Sequence, residues 1–143
     1  MVLEKRAISL ALKSILSVDR RIRCVVACDL EGKMRANVLR KGVESLEPEA
    51  QTKFFVEQAA IGAGMGHSGD GYHGRIRMVI VVREKLILIV FSLFEGVILV
   101  SADPDLPLEK TPGIGERLDM MEEAIFPTRP VPTKFDQIKG DLR

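Results

Sequence analysis

Apolar residues open the chain at helical spacing. Leu3, Ala7 and Ile8, Ala11 and Leu12, and Ile15 and Leu16 recur every three or four positions, with Glu4, Lys5, Lys13 and Ser14 elsewhere. That period predicts an amphipathic helix over about residues 3–16. Past Arg20 the period shortens to two, as a strand requires. Ile22, Cys24, Val26 and Cys28 take one face, and Val25 and Ala27 the other. Asp29-Leu30-Glu31-Gly32-Lys33 then reads as a tight turn, with Gly32 supplying a positive φ. A returning strand is expected over 34–41, with Met34, Ala36 and Val38 alternating against Arg35, Asn37 and, less cleanly, Leu39.

Ser45-Leu46-Glu47-Pro48-Glu49 carries the Pro and the acids that favour a helix start, and the helix would run on through Phe54, Phe55, Gln58, Ala59 and Ile61. After a glycine-rich stretch, three strands are expected at about 75–84, 86–93 and 97–101, then a Pro-rich connection and a helix over about 113–125. Residues 86–91 and 97–100 are apolar on both faces, as is most of 22–28, which places these strands in the middle of a covered sheet. The alternating strand at 34–41 and the strand with Arg75 and Arg77 opposite Ile76, Met78 and Ile80 carry the charged positions of edges. Short turns pair the first two strands and the last three in sequence, so the first must abut the fifth. The expected fold is α/β (α+β): a five-stranded, mainly antiparallel sheet in the order 2-1-5-4-3, sandwiched between helices in the sequence α-β-β-α-β-β-β-α.

This layout resembles the roadblock/dynein-light-chain family, within the wider group of profilin-like architectures. The likeness rests on Cys24-Val25-Val26-Ala27-Cys28-Asp29-Leu30-Glu31-Gly32-Lys33, a hydrophobic strand leading into an acidic turn with Gly, and on the later three-strand meander. It covers about residues 3–125, is architectural, and has no diagnostic motif. The glycine-rich segment at 62–74 and the long C-terminal tail depart from a minimal domain of this kind. The domain is therefore drawn as 1–126, with a Pro-rich charged tail at 127–143. The compact chain has the look of a prokaryotic or archaeal member. The resemblance implies a non-enzymatic protein that dimerises and regulates or scaffolds small GTPases.

Composition narrows the alternatives. Twenty-one Lys and Arg against twenty Asp and Glu leave a net charge of +1, without the positive surplus that general nucleic-acid binding needs. Two cysteines exclude a disulfide scaffold and suit a reducing cytoplasm, and no secretory signal is visible at the start. The apolar run over 78–100 is broken by Arg83-Glu84-Lys85 and by Glu95, so membrane insertion is not expected.

Candidate chemistry is sparse. Gly64-Met65-Gly66-His67-Ser68-Gly69 formally fits a dinucleotide fingerprint, but a helix precedes it and a strand follows, the reverse of the order that works. The ordinary reading is a helix-to-strand connection; a mobile partner-binding or anion-binding loop is the other. Cys24 and Cys28 on a strand stand about 13 Å apart at roughly 3.3 Å per residue. Zinc–sulfur bonds cannot span that, with or without His67 and His73, so no metal and no stoichiometric zinc is expected. Ser68 beside His67 and Asp70 are consecutive loop residues, unlike a converging triad. Glu31, Glu44, Glu47 and Glu49 fall at turns and a helix start, where solvation and capping explain them. No catalytic residue and no cofactor is assigned.

The favoured function is a cytoplasmic homodimeric adaptor. The alternative is a ligand-binding sensor with a pocket between the sheet and the helix at 48–61, and an unrecognised enzyme comes third. A pocket needs convergent polar groups, which the strands scarcely offer. By the resemblance, the dimer interface falls on the third strand and second helix, with Phe54, Phe55, Gln58, Arg75, Arg77 and Val79 as its candidate residues.

Overall fold

The N-terminal apolar stripe folds as helix α1 (Val2–Leu16) and buries Ile8, Ala11, Leu12, Ile15 and Leu16. The computed structural model describes residues 2–44, 69–93 and 95–125, together with Gln58 and Gly62, which are helical. Strands β1 (Ile22–Asp29) and β2 (Met34–Leu39) follow α1. Next come a four-residue helix α2 (Asp70–His73) and strands β3 (Met78–Val82), β4 (Ile87–Ser92) and β5 (Gly96–Ala102). A 3-10 turn (Leu108–Lys110) leads into helix α3 (Thr111–Ile125).

The strands form one antiparallel sheet in the order β2-β1-β5-β4-β3. Order and class agree with the expectation from pattern. The hairpin between β1 and β2 closes as its residues predict. Gly32 has φ 86°, and the Asp29 carboxylate accepts the backbone N–H of Glu31 and of Lys33, each at 3.0 Å. An Asx turn and a left-handed glycine together set the reversal.

Helices α1 and α3 share one face of the sheet. There Leu12, Ile15, Ile114 and Leu118 pack with Val25, Ala27, Ile89, Phe91, Ile98 and Val100. Burying a side chain of this size stabilises the fold by about 1.5–3 kcal/mol. The second face carries a smaller buried cluster, Val26, Cys28, Val90, Val97 and Leu99, to which no described helix contributes. Of the helix expected at 48–61, Gln58 is described and helical, whereas Phe54 and Phe55 lie outside the described residues, as does the tail beyond 125.

Two bulges correct the simple alternation. Between β1 and β5 the register passes from Ile22↔Ala102 to Cys24↔Ser101, so Arg23 is an extra residue on β1. It moves Ile22 to the helix-covered face, opposite Cys24, Val26 and Cys28. On β2 the register passes from Ala27↔Ala36 to Cys28↔Met34, making Arg35 the extra residue. Met34 accordingly joins the second face, while Ala36 and Val38 stay with the helices.

Strand boundaries differ most at β3. Arg75 and Arg77 precede it, and its own five residues, Met-Val-Ile-Val-Val, carry no charge.

Candidate interaction surface

The two sheet edges are built differently. At β2 the Arg35 bulge breaks the ladder, and Arg35 lies 3.7 Å from the Asp29 carboxylate. Bulges and charge are the usual guards of an edge. Strand β3 has neither: its register against β4 is regular from Met78↔Phe91 to Val82↔Ile87, and every residue is apolar.

The hydrogen-bond parity of β3 follows from its ends. Ser92 N–H donates to the Arg77 carbonyl and Arg83 N–H to the Leu86 carbonyl, each at 2.9 Å. In an antiparallel pair such bonded positions recur every second residue. Arg77, Val79, Val81 and Arg83 therefore turn their backbone groups toward β4. Met78, Ile80 and Val82 turn theirs to the open edge. Side chains alternate the other way: Met78 and Ile80 pack on the helix side. Val79 and Val81 are 42% and 38% exposed on the second face, and Val82 is 64% exposed.

Of the residues proposed from sequence, Val79 lies on this strand. Arg77 stands at its entry, its guanidinium paired with the Asp119 carboxylate of α3. Arg75 stands two residues earlier and also has an interaction partner. Gln58 is helical and exposed, and Phe54 and Phe55 lie outside the described residues. The structure thus joins Val79 and Arg77 at one edge but gives Arg77 a partner within the chain.

The remaining sequence candidates converge less. Cys24 and Cys28 both face the second side of β1, and Cys28 is fully buried. Burial, with the Asp29 charge beside it, pushes the Cys28 thiol up to about 11, away from a nucleophilic thiolate. Among the described residues no group of three or more His, Cys, Asp and Glu could hold a metal ion. No described helix is long and apolar enough to cross a membrane. His67 and Ser68 lie outside the described residues, and Asp70 begins α2, which ends at Gly74 with φ 78°. Tyr72 on that turn is almost fully exposed.

Sequence reasoning missed a charged clamp at the other end of the sheet. The Arg40 guanidinium donates to the carbonyls of Leu16, Asp19 (2.8 Å) and Ile22 (2.6 Å), tying the end of α1 to the start of β1. Buried Asp19 accepts Lys110 Nζ at 2.7 Å and the backbone N–H of Arg21 at 2.8 Å. The Lys110 bond first, then the Arg21 N–H, holds the Asp19 carboxyl below the usual range. These residues are scattered along the chain, so no local motif announces them.

The chain, an antiparallel sheet in the order 2-1-5-4-3 with its first and last helix sharing one face, finds matches among solved structures. The fold is roadblock-like. The chain is similar to the Roadblock/LC7 domain from Streptomyces avermitilis, at 14% identity and TM-score 0.62, over 82% of this chain and 93% of that one. It is also similar to the gliding protein MglB from Thermus thermophilus, at 17% identity and TM-score 0.65, over 85% and 87%. An MglB in a tetrameric arrangement matches at 19% identity and TM-score 0.67, over 83% and 90%. No family model matches the sequence, and no curated protein matches it. The roadblock-like fold is therefore carried by architecture at low identity.

Proposed function

We propose that the chain is a non-enzymatic adaptor that works as a cytoplasmic homodimer and scaffolds or regulates a small GTPase. The observation carrying the dimer is the β3 edge, five uncharged residues with the backbone of Met78, Ile80 and Val82 unpaired by β4. Such an edge can continue the sheet into a second copy, and two-fold symmetry lets one patch serve both subunits. With Ile80 on the dyad, Met78 falls opposite the partner's Val82. Arg77 then faces the partner's Arg83, a like-charge pair that the Arg77–Asp119 contact relieves. By the family resemblance, Gln58, Phe54, Phe55 and Arg75 complete the proposed interface.

The GTPase follows from the family resemblance, and the similarity to gliding proteins of the MglB type supports it. The adaptor is preferred over a ligand sensor because the second face presents Val26, Cys28, Val90, Val97 and Leu99, which offer a small ligand little polar anchorage.

Light scattering tests the dimer. Val82→Pro removes an outward N–H at an exposed position and is expected to abolish association through β3 while the fold survives. Val79→Pro removes an inward N–H and is expected to unfold the sheet edge itself. An association constant unchanged by Val82→Pro would sink the interface. Calorimetric titration with small GTPases loaded with GDP or a GTP analogue tests the partner class; absence of binding to either state argues against it.

A further inference from the structure

The helix-covered face ends in an outer surface that the β3 dimer leaves open. On α1, Leu10 is 66% exposed, and on α3, Met120 is 87% exposed. The helices run antiparallel: Arg117 reaches the Ser14 carbonyl at 3.4 Å, while Lys110, just before α3, meets Asp19, just after α1. Leu10 lies one turn before Ser14, and Met120 nearly one turn after Arg117. The two exposed side chains therefore stand at the same level on neighbouring helices, flanked by exposed Ala7 and Ala124.

Charge divides this surface in two. Among the described side chains, α1 carries Arg6 and Lys13, and α3 carries Glu116, Asp119 and Glu122 against Arg117. On α3, Arg117 is turned to Ser14 and Asp119 to Arg77. Arg6, Lys13 and Glu116 are exposed and make no ion pair among the described residues. Arg6 and Lys13 sit one turn either side of Leu10; Glu116 sits one turn before Met120.

We propose that α1 and α3 form a second self-association surface, on which another copy of this chain packs with α1 over the partner's α3. A two-fold axis parallel to the helices achieves this. It lays Leu10 on the partner's Met120 and brings Lys13 to the partner's Glu116, because the antiparallel levels that match within one chain match again between two. An axis perpendicular to the helices would stack basic α1 on basic α1, so charge selects the first arrangement. Paired with the β3 edge, the surface links β3 dimers to one another, which goes beyond the dimer proposed above.

Sedimentation of the full chain tests this. Leu10→Glu keeps helix propensity and sets a like charge against the partner's α3, so it is expected to raise the dissociation constant of this interface at least about tenfold. Lys13→Glu is expected to weaken the same interface, and Lys13→Glu combined with Glu116→Lys to restore it. Circular dichroism on each variant confirms the fold, since all three positions are exposed. With both interfaces present, the wild type sediments as a species larger than two chains and Leu10→Glu as two. If the β3 edge fails alone, the wild type is two chains and Leu10→Glu one. A mass unchanged by Leu10→Glu overturns the helix surface, and failure of the charge swap to restore association overturns the α1-over-α3 packing.

Discussion

Asp19 shows how much one side chain can organise. It is buried, yet it meets the Lys110 ammonium and the Arg21 backbone, and Arg40 caps the carbonyls beside it. Its carboxyl is held below the ordinary value when folded. Such a group stabilises the fold fully above its unfolded value, about 3.9, and loses that contribution as pH falls through the folded value. Asp19→Asn cannot ionise. We expect it to melt below the wild type at neutral pH and to show a flatter decline as pH falls below about 4; equal slopes in thermal melts below that pH would contradict the clamp. Single residues were also where the sequence was least legible. Arg23 and Arg35 are ordinary charged residues in strands that alternate well. Nothing in their chemistry marks them as the extra residue of a bulge, because a bulge is settled by the neighbouring strand. Counting by twos therefore put Ile22 and Met34 on the wrong faces.

At the level of elements, legibility followed how local the cause was. The helix α1 and the hairpin turn were readable because spacing, Asp29 and Gly32 act within a few residues. Strand β3 was drawn too long because Arg75 and Arg77 alternate plausibly with Ile76 and Met78, whereas Arg77 is drawn to Asp119, forty-two positions away. The start of α3 was placed at Gly113, though the helix begins at Thr111, whose hydroxyl donates to the Leu108 carbonyl at 2.8 Å. Glycines near that start invite a test. A Cβ at Gly113 meets nothing within 4 Å, whereas one at Gly115 would lie 3.2 Å from Cε1 of buried Phe91. Alanine is favoured over glycine within a helix by about 0.5–1 kcal/mol. Chemical denaturation should show Gly113→Ala gaining roughly that amount. Gly115→Ala should gain less or lose stability, as the Phe91 ring has little room to yield.

For the whole molecule, sheet order was legible because burial on two faces is written into composition. Strands β1, β4 and β5 are apolar on both faces over most of their length, and they occupy the three central places. The proposed interaction site was legible only as an element. Which residues of β3 offer their backbone outward depends on the hydrogen bonds at Ser92 and Arg83, and those set the open positions at Met78, Ile80 and Val82 rather than Val79. This geometry gives association a thermodynamic signature. A chain that pairs through β3 in its native state alone is stabilised by mass action, and each tenfold rise in concentration is worth about 1.4 kcal/mol per dimer. For a dimer of this size that is a rise in melting temperature of about 2–4 °C. To isolate β3 from the helix surface, the measurement belongs in the Leu10→Glu background. There we expect the melting temperature to climb with concentration, and the climb to vanish when Val82→Pro is added. A slope that survives Val82→Pro would place the remaining contact away from this edge, and a flat line before it is added would mean that β3 does not pair at all.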